Sequence, residues 1–339
     1  MNKDIITSGE LIYYAHELSK DFDELLIIPI SDIHYGNPLF SKKHLMRTLK
    51  FLEKPNAYGF LNGDLCLSPK TRVLKGNLTY AELGNVKVGD ELIGVTEDSL
   101  PRGRGVVHTN VISGRNRYAD TFKVRLEDET EFIVTPEHLW LVRDNHKQPR
   151  DRWYWARTDK LSIGDSLLKV FPVWDTPNDW ETGYIAGLLD GEGSICLREG
   201  SEWRARQLAF SQQEGLVMSY FEDYLRKHNI SYQKNKTTPQ GRMRDTFGIL
   251  IRTDAPKLLG MTQPQRLAGK AYKFVEKKLN KATGIKIVDI QPYKRTEVRT
   301  IQTDCHTFIA EGVATHNCES TLRTSKGEIF EQVGSPEKQ

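Results

Sequence analysis

A chain of 339 residues with 38% hydrophobic and 27% charged residues is long enough for two or three domains, each with its own core. No apolar run approaches the ~20 residues that span a bilayer, and the opening MNKDIITSGELIYYAHELSKDFDE lacks a secretory h-region, so a cytoplasmic protein without a membrane partner is expected. The net charge of +3 is uneven: residues 196–281 carry 17 Lys and Arg against 8 Asp and Glu, which suits either a polyanion-binding surface or a solvated face. The four cysteines, Cys66, Cys196, Cys305 and Cys318, form no CxxC pair, which argues against a zinc site or a disulfide framework. Each is then a reduced thiol that acts as a nucleophile or packs as a small apolar group.

In chain order, the run LLIIPISDIH (25–34) predicts a buried strand ending in Asp32-x-His34. A helix is predicted over 41–54 and a second strand over YGFLNGDL, ending in Gly63-Asp64. This is a βαβ unit with metal-ligand residue types at both strand ends, where open α/β sheets place their sites. The two motifs together resemble the opening of the calcineurin-like metallophosphoesterases, phage-type members in particular. The resemblance implies that Asp32, His34 and Asp64 hold divalent ions (Mn, Fe or Zn type) that activate water for phosphoester cleavage. It breaks at Cys66, where the strand-like CLSPKTRVLKG begins, and resumes at Cys318: joining Leu65 to Cys318 reads NGDL-CESTLRTSKGEIFEQ. The later metal motifs of that family are absent, so residues 1–65 and 318–339 are expected to be two pieces of an incomplete phosphoesterase.

The insert between them carries reactive groups at both ends. Cys66 can attack its own upstream peptide bond, sulfur being strongly nucleophilic and a good acyl carrier. Cys318 is placed to capture the acyl group, Asn317 to cleave the downstream bond by cyclising, and His316 to assist that cyclisation. The string Ala314-Thr-His-Asn-Cys318, the opening CLSPKTRVLKG and the block EFIVTPEHLWLV together resemble the splice blocks of inteins. The resemblance implies autocatalytic protein splicing without a cofactor, in an all-β horseshoe (Hint) domain. By the same resemblance Thr135 hydrogen-bonds the scissile amide at Cys66, and His138 destabilises it or protonates its nitrogen. An imidazole titrating near neutral pH suits that work. His306, in CHTF, is expected to assist at the C-terminal junction. An Asp or Cys that the family often carries just upstream is replaced here by Thr300 or Arg299, with Asp304 a candidate substitute. An internal echo, VKVGDELIGV (86–95) against LSIGDSLLKV (161–170), fits the pseudo-symmetry of such a fold.

The segment Tyr184-Ile-Ala-Gly-Leu-Leu-Asp-Gly-Glu-Gly-Ser-Ile195 resembles the LAGLIDADG motif of homing endonucleases. Ala186 and Gly187 allow close helix–helix approach, and the helix is expected to end at Gly191. The resemblance makes Glu192 the catalytic carboxylate for Mg²⁺; Asp190 stands beside it as a second metal candidate, more simply read as a structural group at the helix end. The remainder predicts αββαββα: strands near 194–199 and 204–211, a helix over 214–228, strands near 230–236 and 244–252, and a helix from Asp254. Arg204, Arg206, Lys234, Lys236, Arg242, Arg244 and Arg252 alternate with apolar residues, as suits a sheet lying in the groove of double-stranded DNA, the intein-less host gene. With one motif visible, the segment either homodimerises through this helix or is a decayed remnant. The expected organisation is multi-domain: 1–65 α/β host start, 66–175 first part of the splicing domain, 176–282 inserted α+β domain, 283–317 second part, 318–339 host continuation. A metal-dependent phosphoesterase with a non-splicing insertion is the alternative.

Overall fold

The computed structural model describes residues 5–8, 11–14, 26–31, 42–51, 57–62, 66–97, 104–143, 153–197, 206–237, 246–271, 274, 278–279 and 283–317. Asp32, His34, Asp64, Arg204, Arg242, Arg244 and Cys318 lie outside them, as does the side chain of Arg206. The chain divides into two compact units, Met1–Gly63 with Ser320–Gln339 and Asp64–Glu319. No helix among the described residues is long and apolar enough to cross a membrane.

In the first unit, strands Leu26–Ser31 and Ala57–Asn62 pair in parallel, Leu26 opposite Ala57. Parallel neighbours need a crossover connection, and helix α1 (Lys42–Phe51) supplies it. A short antiparallel pair, Ile5–Ser8 with Leu11–Tyr14, precedes them.

The second unit is predominantly antiparallel β. The echo read from sequence is a repeated structure. Each copy begins with a 3₁₀ turn, Leu83–Asn85 or Thr158–Lys160. In the first copy the Asp90 carboxylate accepts from Lys87 N (3.0 Å); in the second, Asp165 accepts from Ser162 N (2.9 Å). Gly89 and Gly164 stand at φ +91° and +97°, a conformation a side chain would strain. Even the long-range pairing repeats: Gly89 N donates to Val111 O and Val111 N to Asp90 O, while Gly164 N donates to Ile287 O and Ile287 N to Asp165 O. The long strand Arg104–Ala119 therefore corresponds to Thr283–Pro292. The first pairs with Thr296–Thr303 and the second with Phe122–Leu126, so the two halves exchange strands. A fold of this kind has no half that closes alone.

The described elements between residues 180 and 262 run in αββαββα order. Helix α2 (Trp180–Glu192) leads into strands Gly193–Leu197 and Arg206–Gln213, helix α3 (Leu216–Lys227), strands Gln233–Thr237 and Thr246–Ile251, and helix α4 (Ala255–Thr262). The Asp179 side chain caps α2 by accepting from Thr182 N (2.8 Å). Helix α2 runs one residue past Gly191 and stops at Glu192. A Cβ on the following Gly193 would lie 2.4 Å from Leu189 O, so only glycine lets the chain turn out there. One hydrophobic core joins this part to the β sheets: Trp174, Phe171 and Leu78 cluster with Leu258, Leu259 and Met261 of α4, and Trp174 Nε1 donates to Leu78 O (2.9 Å).

Candidate active site

Residues Cys66–Ser68 run between Glu131–Val134 and Thr296–Thr303, Leu67 forming an isolated antiparallel bridge to each. Leu67 exchanges backbone hydrogen bonds with Arg299 (3.3 and 2.7 Å), Ser68 N donates to Ile133 O (2.9 Å), and Thr135 N donates to Cys66 O (3.0 Å). Cys66 is fully buried. Its amide N–H donates to Thr135 Oγ1 at 3.1 Å, the hydrogen bond expected on the amide between Leu65 and Cys66. Its Sγ accepts from Arg117 Nε at 3.1 Å. Arg117 reaches across from the long strand Arg104–Ala119, and sequence reading missed it.

Asn317 arrives on a hairpin. Strands Thr307–Ala310 and Val313–His316 pair with Ala310 opposite Val313 and Thr307 opposite His316, which leaves Glu311-Gly312 as a two-residue turn. Both turn residues have positive φ (46° and 79°), as a type I′ turn requires. The Glu311 carboxylate is held by Arg72 N (2.7 Å) and the Arg72 guanidinium, and a Cβ on Gly312 would lie 2.2 Å from Phe171 O. At the open end Asn317 N donates to His306 O (2.7 Å), so His306, itself at φ 64°, ends the hairpin opposite Asn317. The Asn317 side chain is buried and clamped by Thr303: Nδ2 donates to Thr303 O (2.8 Å), and Oδ1 accepts from Thr303 Oγ1 (2.8 Å).

One four-residue turn connects the two ends. His138 N donates to Thr135 O (3.2 Å), closing the turn Thr135–His138. Leu67 opposite Val134 puts Cys66 opposite Thr135. Trp140 is opposite Thr315 in an antiparallel pair, and continuing that register by two residues puts His138 opposite Asn317. Cys66 and Asn317, 251 positions apart in sequence, thus flank opposite ends of the same turn. The turn is fixed from behind. Thr158 N and Oγ1 both donate to His138 O (2.9 and 3.1 Å), Trp140 Nε1 donates to Thr158 Oγ1 (2.9 Å), and the Trp140 ring meets His138 edge-on at 4.7 Å.

The charges differ from those expected. Complete burial, with His316 adding a smaller effect, pushes the His138 imidazole down to about 3. It is therefore neutral at pH 7 and does not titrate there: desolvation penalises the imidazolium. His138 can hydrogen-bond the scissile region as a neutral ring, but it carries no ready proton charge. The ionic group lies at the other junction. Glu97, just past strand Glu91–Val95, accepts from His306 Nδ1 (2.9 Å) and His316 Nε2 (3.1 Å), and these bonds hold its carboxyl well below the usual carboxylate range. His316 Nδ1 faces Asn317 O at 3.4 Å, and Trp155 packs edge-on against the His316 ring at 5.1 Å. Glu97 and Thr303 were not singled out from sequence either.

Thr300 lies opposite Cys66 across the Leu67–Arg299 pair; buried, it donates to Arg115 O (3.1 Å). Arg299 bonds Asn116 Oδ1 and Val86 O. Asp304 accepts from Thr109 Oγ1 (2.6 Å) and from Asn110 N and Nδ2, contacts that anchor its own turn.

In the αββαββα segment, Asp190 accepts from Gln265 N (2.9 Å) and Arg266 N (2.8 Å) and so caps the short helix Gln265–Ala268, a structural use of this carboxylate. Glu192 is exposed at the end of α2. Among the described residues no three His, Cys, Asp or Glu side chains converge as a metal cluster; one exposed carboxylate does not by itself hold Mg²⁺. Gly183, Gly187 and Gly191 lie on one face of α2, exposed, and a Cβ on any of them meets nothing within 4 Å. The sheet, ordered 193–197, 206–213, 246–251, 233–237, packs Leu208, Phe210, Ile249 and Ile251 against the helices. Lys234 is opposite Ile249 and Lys236 opposite Phe247, so both belong to that helix-side face. Lys234 bonds Glu222 of α3 (2.9 Å) and Glu214 (3.3 Å) and lies over the Phe247 ring. The expectation of a DNA-facing Lys234–Lys236 pair thus meets a sheet whose other face carries Gln207, Ser211, Gln233, Asn235 and Arg252, with Arg252 Nε on Gln207 Oε1 (3.4 Å).

No known sequence-family profile and no curated protein sequence matches this chain. Among solved structures it is similar to the Ssp DnaB mini-intein variant M86, at 9% identity over 77% of this chain and 99% of that one, TM-score 0.37. It is also similar to the gp41-1 intein (14% identity, 75% and 98%, TM-score 0.30) and to a bacterial intein-like domain from Clostridium thermocellum (10% identity, 76% and 100%, TM-score 0.34). Likeness at these scores carries no weight by itself.

Proposed function

We propose that residues 66–317 excise themselves by protein splicing and join residues 1–65 to 318–339. The observation that carries this reading is the Thr135–His138 turn with Cys66 at one end and Asn317 at the other, since bond rearrangement between remote residues depends on the fold supplying proximity. Cys66 Sγ attacks the Leu65 carbonyl carbon; the amide C–N bond breaks, a thioester forms, and the thiol proton passes to the freed amine. Thr135 holds that nitrogen, and Arg117 stabilises negative charge on sulfur. The thiolate of Cys318 then takes the acyl group from Cys66. Asn317 Nδ2 attacks its own backbone carbonyl, releasing the amine of residue 318 and leaving a C-terminal succinimide. A final shift of the acyl group from sulfur to that amine makes the new peptide bond.

One expressed chain should yield two products by mass spectrometry: the insert 66–317 and the ligated 1–65/318–339. Cys66→Ala should abolish ligation while retaining cleavage after Asn317, and Asn317→Ala should block release. A parent chain that stays unbroken through long incubation in reducing buffer would refute the reading.

The flanks are proposed to be host phosphoesterase on the sequence resemblance alone. For residues 176–282, the αββαββα order and the exposed glycine face of α2 favour a DNA-binding, nuclease-type module that pairs through α2, its second carboxylate coming from another copy. Mg²⁺-dependent cleavage of an uninterrupted host gene, abolished by Glu192→Gln, is the test.

A further inference from the structure

Glu97 belongs to no motif, yet it is the group on which the C-terminal junction converges. Its two carboxylate oxygens are divided between two histidines beside Asn317: Oε2 receives His306 Nδ1 (2.9 Å) and Oε1 receives His316 Nε2 (3.1 Å). The backbone around it is fixed as well. Trp155 Nε1 donates to Glu97 O (3.3 Å), and the Arg104 guanidinium donates to the carbonyls of Thr96 (2.7 Å) and Glu97. A carboxylate is an acceptor only, so His316 must carry a proton on Nε2. The other nitrogen, Nδ1, faces the Asn317 carbonyl oxygen at 3.4 Å, again an acceptor only. One protonation state satisfies both neighbours, the imidazolium with hydrogens on both nitrogens. Around His316, Glu97 supplies the negative charge that suits that state, Trp155 packs against the ring in a T-shape, His306 shares the same carboxylate with ring centroids 6.3 Å apart, and the nearby His138 is neutral.

We propose that Glu97 is a positioning residue for asparagine cyclisation, holding His316 as the imidazolium that points Nδ1–H at the carbonyl oxygen of the bond to be broken. This rests on the splicing reading. When Asn317 Nδ2 attacks the Asn317 carbonyl carbon, the new C–N bond pushes charge onto that oxygen, and His316 Nδ1–H stabilises it. The C–N bond to residue 318 then breaks, the proton from Nδ2 passes to the departing amine, and no external reactant is needed.

The test uses the full chain with Cys66→Ala, so that cleavage after Asn317 is followed by itself, from pH 5 to 9. With Glu97 present, cleavage should persist to alkaline pH. With Glu97→Gln, which keeps size and a hydrogen-bonding group but no charge, cleavage should fall off at lower pH and be about tenfold or more slower at pH 8. It should recover toward the parent rate at pH 5.5. Glu97→Asp should restore part of the alkaline activity. As a folding control, dithiothreitol-induced cleavage at Cys66 in an Asn317→Ala chain should be unchanged by Glu97→Gln. Superimposable pH profiles for Glu and Gln would overturn the proposal, as would a uniform loss at every pH together with lost cleavage at Cys66, which marks general damage. A Cys66→Ala chain that never cleaves after Asn317 with Glu97 intact would instead overturn the splicing reading itself.

Discussion

Replacing Arg117 by Met probes the upstream junction without altering a reacting residue. Arg117 Nε donates to Cys66 Sγ at 3.1 Å, whereas the Asn317 side chain is clamped by Thr303 and its backbone N–H by His306 O. A hydrogen bond to a group bearing charge contributes about 1.5–3 kcal/mol, and the only partial burial of Arg117 scales this to about 1–2 kcal/mol. Met keeps the apolar stem and removes the donor and the charge. If that energy stabilises the sulfur anion as it attacks, loss of about 1–2 kcal/mol slows thioester formation by about 5–30-fold. The assay is dithiothreitol-trapped cleavage before Cys66 in an Asn317→Ala background, read by gel densitometry over time. Arg117→Lys, which keeps charge without the planar fork, should fall between. Cleavage after Asn317 in the Cys66→Ala background should stay within about twofold, since a barrier not touched by the residue is not changed by its removal. Unchanged thioester formation in Arg117→Met would refute the reasoning, and so would an equal drop at both junctions.

Three further outcomes follow from the same geometry. Thr135→Val removes the acceptor of the Cys66 amide and leaves a buried N–H unsatisfied at a cost of about 1–3 kcal/mol, so cleavage before Cys66 should fall more than cleavage after Asn317. His138 has its folded value lowered to about 3, so the unfolded chain binds the extra proton as pH falls below about 6.5; stability should be full above that point and decline toward pH 3. Urea midpoints of a splicing-blocked chain at pH 7 and 5 measure this, and His138→Leu should lessen the loss over that window; His228, also lowered by burial, contributes in the same direction, and Glu97, with its lowered value, does not yet contribute. For the proposed DNA-binding module, Lys234→Gln should leave affinity within about twofold because its ammonium is bound to Glu222 and Glu214, whereas Arg252→Gln should weaken binding and reduce its salt dependence by about one phosphate contact; band-shift titrations at several salt concentrations distinguish them.

What was legible in the sequence was what is local in it. The block holding Thr135 and His138 and the end His316-Asn317 are short strings that resemble splice blocks, and the αββαββα order was read along the segment that follows the LAGLIDADG-like string. The groups that tune those strings were not legible. Glu97 meets His306 and His316 across 209 and 219 positions, and Arg117 meets Cys66 across 51. A lone Glu after a strand and a lone Arg on a long strand carry no sign of their destination; strand exchange between the two halves decides it. Burial explains the other miss: His138 has the residue type of a neutral-pH acid, but enclosure by Trp140 and Thr158 takes away the water that would stabilise its charge.

The basic strand Gln233–Thr237 shows how a correct period can be given the wrong phase. Alternation does place Lys234 and Lys236 on one face, but charge alone does not say which face meets solvent. The cross-strand partners do: Ile249 opposite Lys234 and Phe247 opposite Lys236 are apolar and pack toward the helices, so the lysines share their side and Lys234 is neutralised by acids at and near α3. The remaining face is rich in amides and hydroxyls, with Arg252 as its placed cation. Such a face suits contacts that discriminate base edges more than contacts that only hold phosphates. The Arg252 and Lys234 variants therefore test the phase of the sheet independently of whether any nuclease activity survives.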